Sequence, residues 1–325
     1  MGRRKILIFT AVGSAVAYAI FGLAGSLPFF FLSRALGGAC AASIATAQAY
    51  VADVTTPEQR GRGMAMIGAA LGAGFVFGPA LAGVTAGWWG IRAPFFIASG
   101  MSVVSAIWTT LAVVEPPRHR VSEKRVLGAM LDAFRVPALA FYIVIFFLVI
   151  YAFSHIEATF PLWNFDELGF DERANGKIFA YIGLVLMVVQ VTATPRLIRR
   201  LGEKRVISIG TIMMGIGCGV VPLFVRNWIE LMVACTLMGG GNGLVNPAVT
   251  AAVSRSAPAH RQGEMLGVAQ AMASGARIAG PTVGTFLYGH AGRPWPYLTT
   301  AVLLLLVGVV VSATRAGRIG TPTEQ

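Results

Sequence analysis

Charged residues are scarce in this sequence. Of 325 residues, 12% are Asp, Glu, Lys or Arg, with fourteen acidic side chains in all, against 56% hydrophobic residues. A soluble domain of this length could not cover itself with so little polar surface, so the chain belongs in a lipid bilayer. Cysteine is nearly absent as well. Cys40, Cys218 and Cys235 each lie inside an apolar stretch, where they read as small packing residues and not as a disulfide framework or a thiolate metal site. There is no phosphate-cradling glycine loop, zinc-ligand spacing or nucleophile beside a base. ATP hydrolysis and membrane enzymology therefore have no support, and no metal or cofactor is expected.

What is present is apolar sequence cut into lengths that suit a membrane. About 20 helical residues cross ~30 Å of hydrocarbon, and ten stretches are predicted as spans: 6–25, 28–52, 62–86, 92–113, 137–161, 174–196, 205–225, 228–252, 264–288 and 295–314. The basic start Met1-Gly2-Arg3-Arg4-Lys5 has the look of a signal peptide, but further spans follow it and no persuasive cleavage site does. The organisation expected is a four-helix bundle over 1–114, a charged linker over 115–136, a six-helix bundle over 137–315 and a tail over 316–325. Sorting Lys and Arg by loop puts nineteen on one side and five on the other, leaving Arg34 and Arg277 within spans. By the positive-inside rule both termini are cytoplasmic. The net charge of +12 is thus topological, and nucleic acid drops out as a partner.

An internal repeat is the most informative feature. Gly2-Arg3-Arg4-Lys5-Ile6 recurs as Gly202-Glu203-Lys204-Arg205-Val206, Pro57 with Arg60 recurs as Pro258 with Arg261, and Gly78-Pro79 recurs as Gly280-Pro281. The offset is 200 to 202 residues throughout. Two spans precede the Gly202 copy within its half and none precedes the Gly2 copy, so the expectation is a twelve-helix architecture lacking its first two helices: a fragment, a misassigned start or a natural truncation.

With these residues in place, the chain resembles the drug/proton antiporter branch of the major facilitator superfamily over essentially its whole length. Gly2-Arg3-Arg4-Lys5 is similar to the tail of that family's loop motif, whose leading Gly and Asp are absent. Arg34-Ala35-Leu36-Gly37-Gly38 with Tyr50-Val51-Ala52-Asp53 resembles its arginine-bearing helix. Gly74-Phe75-Val76-Phe77-Gly78-Pro79-Ala80-Leu81-Ala82-Gly83 resembles its antiporter helix. The resemblance implies an all-α membrane fold of two pseudo-symmetric bundles, here with ten of twelve helices. It also implies export of a small amphiphilic compound in exchange for protons by alternating access. Ala17 stands where tetracycline exporters carry Asp, which counts against tetracycline/metal exchange.

Several residues are candidates for that work, each with a plainer reading beside it. Arg34 is a charge within a span, which marks a cavity or a partner, and Gly38, Ala41, Ala45 and Gln48 follow it at helical spacing. Snorkelling from a helix end is the alternative. Arg277 lies deeper, after Gln270 and Ser274. Glu157, between Phe153 and Phe160, is the candidate proton carrier, or else an interfacial carboxylate. His155 reads as an ordinary interfacial histidine. Gln190, Asn242 and Asn246 suit substrate contacts or interhelical hydrogen bonds. Arg3 and Asp53 are candidates for the conformational latch that the resemblance implies. Gly74, Gly78, Pro79, Gly83, Gly280 and Pro281 suit a close-packed, bendable helix pair or simple small-residue packing. The partners expected are the lipid bilayer, a small-molecule substrate and protons. A sugar or organic-anion facilitator, drawing on the two arginines, and a nonfunctional remnant are the alternatives.

Overall fold

The structure is a computed structural model that describes residues 2–55, 66–67, 70, 73–74, 77–78, 81–82, 85–86, 88–115, 126–258 and 261–314. Its regular elements among these residues are all helices, and it divides into two units, 1–123 and 124–325.

In the first unit, α1 (Arg3–Leu23) is the helix on which the others pack: α2 (Leu27–Ala39), α3 (Ser43–Val54) and α4 (Ala93–Ala112). Hydroxyls hold it from two sides, Ser33 donating to the Ala17 carbonyl at 2.7 Å and Ser99 to the Ala15 carbonyl at 2.8 Å. At its far end the Phe21 ring meets Phe30 of α2 and Phe95 of α4 at centroid distances of 4.9 and 4.3 Å. Such side-chain bonds and close aromatic contacts are what join helices where lipid offers no hydrophobic drive.

The second unit runs α5 (Val126–Arg135), α6 (Pro137–Leu168), α7 (Glu172–Val188), a π-helical segment (Val189–Ala193), α8 (Thr194–Leu201), α9 (Glu203–Phe224), α10 (Trp228–Ser256), α11 (Gln262–His290) and α12 (Trp295–Ala313). Side-chain caps start two of these helices: the Asp171 carboxylate accepts from the Ala174 N–H at 2.8 Å and Asn227 from Glu230 at 3.1 Å. Each satisfies a backbone donor that the first turn leaves free. The core is continuous, with Leu139, Phe160, Met214, Leu231, Tyr297 and Leu304 almost wholly enclosed.

Glycine sets how closely α10 sits. A Cβ on Gly241 would lie 2.5 Å from the Gly210 carbonyl oxygen of α9, and one on Gly243 would lie 2.8 Å from that of Leu186 in α7. The Gly239-Gly240-Gly241-Asn242-Gly243 run therefore lets α10 press its backbone against two neighbours at once.

The expectation of ten spans is corrected. Among the described residues seven helices are long and apolar enough to cross a membrane: Arg3–Leu23, Ala93–Ala112, Pro137–Leu168, Glu172–Leu201, Glu203–Phe224, Trp228–Ser256 and Trp295–Ala313. The stretch expected at 28–52 breaks at Cys40–Ala42 into α2 and α3, with the Cys40 N–H turned back to Gly38 as well as Leu36. Gly37 and Gly38 weaken the helix just before the break. The stretch at 264–288 is the 29-residue α11, but Gln270, Ser274, Arg277, Thr282 and Thr285 dilute its hydrophobicity. Most of 62–86, including Pro79 and Gly83, lies outside the described residues.

Candidate functional site

In the second unit, α6 and α11 form the pair on which the candidate residues converge. A Cβ on Gly280 would stand 2.8 Å from the Tyr151 carbonyl and 3.0 Å from the His155 nitrogen, and one on Gly284 would stand 2.8 Å from the His155 carbonyl. The two backbones touch there, and Pro161 and Pro281 each remove one hydrogen bond from their helix. Arg277 leads this contact by one turn. Its side chain is exposed, as is that of Ser274; its charge lies close enough to be felt by Glu157 of α6, but the two form no ion pair. Glu157 is itself exposed, whereas Phe160 is buried and Phe153 partly so. The fold thus presents a carboxylate and a guanidinium of opposite charge from adjacent helices.

His155 differs from its sequence reading. It is buried against Gly284, its ring centroid 5.6 Å from that of Tyr151, with neither ring nitrogen hydrogen-bonded. Its small neighbours come from a helix more than a hundred residues away, so local sequence carried no sign of the burial.

Asn242 and Asn246 bond to one another, Nδ2 of Asn246 donating to Oδ1 of Asn242 at 2.5 Å. Asn242 is buried and Asn246 half-buried, so the second is the more available to a ligand. Gln190 sits, half-buried, in the π-helical segment. That segment is pinned by Thr194, whose buried hydroxyl lies 3.1 Å from the Val189 carbonyl and 2.9 Å from the Gly243 carbonyl of α10. A single π turn inside an α-helix shifts the face presented by the residues it carries. Sequence reading found Gln190 and missed the turn beneath it. It also missed the pair formed by the Tyr181 and Thr236 hydroxyls, 2.7 Å apart across α7 and α10.

In the first unit Arg34 lines a recess of about 170 Å³ with Ser14, Ala17, Tyr18, Ser33, Gly37 and Gly38. Its guanidinium carbon lies 4.2 Å from the Phe21 ring centroid, a cation–π contact that steadies the charge without neutralising it. The break after α2 means that Ala41, Ala45 and Gln48 do not continue Arg34's helix face; Gln48 lies on α3, and its side chain is outside the described part. Gly74 and Gly78 are helical, and among the described residues nothing lies within 4 Å of where a Cβ would point. Arg3 and Asp53 are brought together, Nε to Oδ2, at 3.1 Å.

Ion pairs clasp both ends of α11 to the α5–α6 side. At its start, Arg261 takes both Glu264 oxygens at 2.8 and 2.9 Å and Asp132 at 2.9 Å. Those hydrogen bonds, Glu264's first, raise its guanidinium pKa further. Beyond its end, Arg293 reaches Glu167 at 2.8 Å, while Tyr288 donates to Asp166 at 2.6 Å. The Glu167 bond and the nearby Asp166 charge likewise raise the Arg293 pKa.

This architecture can be placed among known proteins. The family model of the Major Facilitator Superfamily matches residues 1–202 and 188–323. The chain belongs to the major facilitator superfamily. Multidrug resistance protein 2 of Bacillus subtilis (strain 168) is 31% identical over 315 residues, covering 94% of this chain and 77% of that protein. Tetracycline resistance protein, class B, from Escherichia coli is 25% identical over 299 residues, 90% of this chain and 74% of that one. Among solved structures, the human organic anion transporter MFSD10 (TETRAN) aligns with a TM-score of 0.74 at 24% identity, over 95% of this chain and 77% of that one; at that identity it speaks for the fold. As a major facilitator protein the chain is a multi-pass membrane transporter that moves a small molecule by secondary transport, and it is not an enzyme.

Proposed function

We propose that this transporter exports a small amphiphilic, drug-like compound in exchange for protons by alternating access. In this reading Glu157 carries the proton, and Arg34, Gln48, Gln190, Asn242, Asn246 and Arg277 contribute to the substrate path. Arg3, Asp53, Gly74, Gly78, Pro79, Gly83, Gly280 and Pro281 serve the conformational change. The carrying observation is the exposed carboxylate of Glu157 on a membrane-crossing helix, interacting with Arg277. A carboxylate at membrane depth is costly, and proton exchange gives it a use. Ionised, it feels the charge of Arg277 on the neighbouring helix without forming an ion pair with it; protonated, it no longer offsets that charge, and the balance at α6 and α11 changes. The likeness to Multidrug resistance protein 2 supports a drug-like cargo. The nineteen-to-five bias of basic residues supports a cell inner or plasma membrane protein with both termini cytoplasmic.

The test is substrate-triggered proton movement in proteoliposomes. Native protein should move protons when a cationic dye substrate is supplied, and Glu157→Gln should lose at least about tenfold of that flux while folding normally. Equal proton movement by both proteins would remove Glu157 from the mechanism. No proton movement by the native protein, with exchange of the dye retained, would overturn antiport.

One observation favours a second reading. Arg34 and Arg277 both keep exposed guanidinium groups, which suits an organic-anion facilitator. That reading requires proton-independent anion flux that Arg277→Gln abolishes.

A further inference from the structure

Helices α9 and α12 run side by side and close tightly over most of their length. A Cβ on Gly215 would lie 3.1 Å from the Ala301 carbonyl, and one on Gly308 would lie 2.6 Å from Ile212. Near one end the Ser208 hydroxyl donates to the Gly308 carbonyl at 2.8 Å. Beyond that bond, toward the first turn of α9 and the last turn of α12, the pair opens into a recess of about 490 Å³. It is lined by Leu201, Lys204, Arg205, Ser208, Ile209 and Ser312.

The chemistry of this recess is that of an anion site beside hydrocarbon. Lys204 and Arg205 supply two cations. One Lys204 proton goes to the Thr314 carbonyl, which leaves two for another acceptor. Arg205 is exposed and forms no ion pair among the described residues. The Ser208 and Ser312 hydroxyls spend their protons on the Gly308 and Val309 carbonyls, so selectivity for an anion rests on the two cations. Both helices are long and apolar enough to cross a membrane, and the recess occupies their ends, which places it at a bilayer boundary. Ile209 belongs to the recess and is exposed, and Ile216 two turns along α9 and Leu306 and Val309 of α12 are exposed too. The cations therefore meet an apolar surface that runs into the membrane.

We propose that the recess between the ends of α9 and α12 binds the phosphate of an anionic phospholipid through Lys204 and Arg205, with its acyl chains lying along the Ile209 side. A free phosphate shares the headgroup chemistry, but the continuous apolar surface beside the cations favours the lipid. The proposal is independent of the proton-exchange reading, since none of these residues belongs to the proposed transport path.

The test is native mass spectrometry of the full chain after equilibration with equal phosphatidylglycerol and phosphatidylcholine. The native protein should retain phosphatidylglycerol in preference. Arg205→Gln should cut that preference about fivefold and Lys204→Gln/Arg205→Gln further, while Arg205→Lys restores most of it. Arg226→Gln, at the opposite end of α9, should leave it unchanged. Arg205→Gln removes no ion pair or hydrogen bond among the described residues, so its folding is expected to hold even if the double variant is unstable. An equal response to the two lipids in the native protein, or an undiminished preference in Arg205→Gln, overturns the proposal. So does displacement of the lipid by millimolar inorganic phosphate, which would reassign the recess to free phosphate.

Discussion

The Nε of Arg3 meets the Oδ2 of Asp53 at 3.1 Å, tying the first turn of α1 to the last turn of α3 across fifty residues of sequence. Next to it, Arg4 donates to the Thr110 carbonyl at 2.6 Å and its backbone N–H reaches Glu115 at 3.2 Å, so the start of α1 gathers the ends of α3 and α4. A surface pair of this kind is worth about 0–1 kcal/mol. Asp53→Asn should therefore leave thermal stability nearly unchanged. If the pair serves as a latch, the same change should lower the transport rate severalfold and the swap Arg3→Asp/Asp53→Arg should recover part of it. A loss of stability matching the loss of transport would make the pair merely structural.

Backbone contact between α6 and α11 gives a steric prediction. Gly280→Ala would force a Cβ to within 2.8 Å of the Tyr151 carbonyl, and such overpacking costs about 1–3 kcal/mol. Gly267→Ala lies on the same helix with open space around it and should be neutral or slightly stabilising, since alanine is the better helix former. Thermal unfolding in detergent compares the two directly; similar melting points would mean that α6 and α11 do not touch at Gly280.

The hydroxyl of Thr194 supports the π-helical segment. Thr194→Val keeps the shape and removes the bond to the Gly243 carbonyl, at a cost of about 0.5–1.5 kcal/mol. The segment carries Gln190, so substrate affinity should weaken by more than that small destabilisation would explain. Binding measured alongside thermal unfolding separates the effects, and unchanged affinity would detach the π turn from the substrate path.

Arg261 leads to a prediction about pH. Its pKa is raised, chiefly by Glu264 and then by Asp132. A raised pKa gives stability that is complete below the ordinary arginine value and is lost only as pH climbs through the higher folded value. Its own titration should therefore add no slope to stability between about pH 5 and 9. Arg261→Gln should free α5, read as faster proteolysis between α5 and α6, by a margin that salt narrows. A margin that grew with salt would contradict an electrostatic clasp.

Much of the membrane character was legible because hydropathy is additive over a window of about twenty residues. The all-helical fold and the family likeness, carried by stretches such as Arg34 to Gly38, were accessible in the same way. The count of spans was not, because hydropathy alone does not register a helix break such as Cys40–Ala42. Among the candidate residues, Arg34 and Arg277 stood out as charges within apolar runs. The burial of His155 did not, since it is produced by Gly284 on a distant helix.

The sequence by itself determined that this chain lies in a membrane and that glycine and proline recur at matching places in two halves. These are properties of local composition, and a bilayer acts on them without reference to the rest of the chain. Tertiary structure decided the placing of Glu157 and Arg277 on adjacent helices, the π turn under Gln190, the contact of Gly280 with Tyr151 and the opening beside Lys204 and Arg205. Each depends on two helices meeting at one height and one rotation, and that geometry is set by close packing and shared hydrogen bonds, which no single stretch of sequence contains.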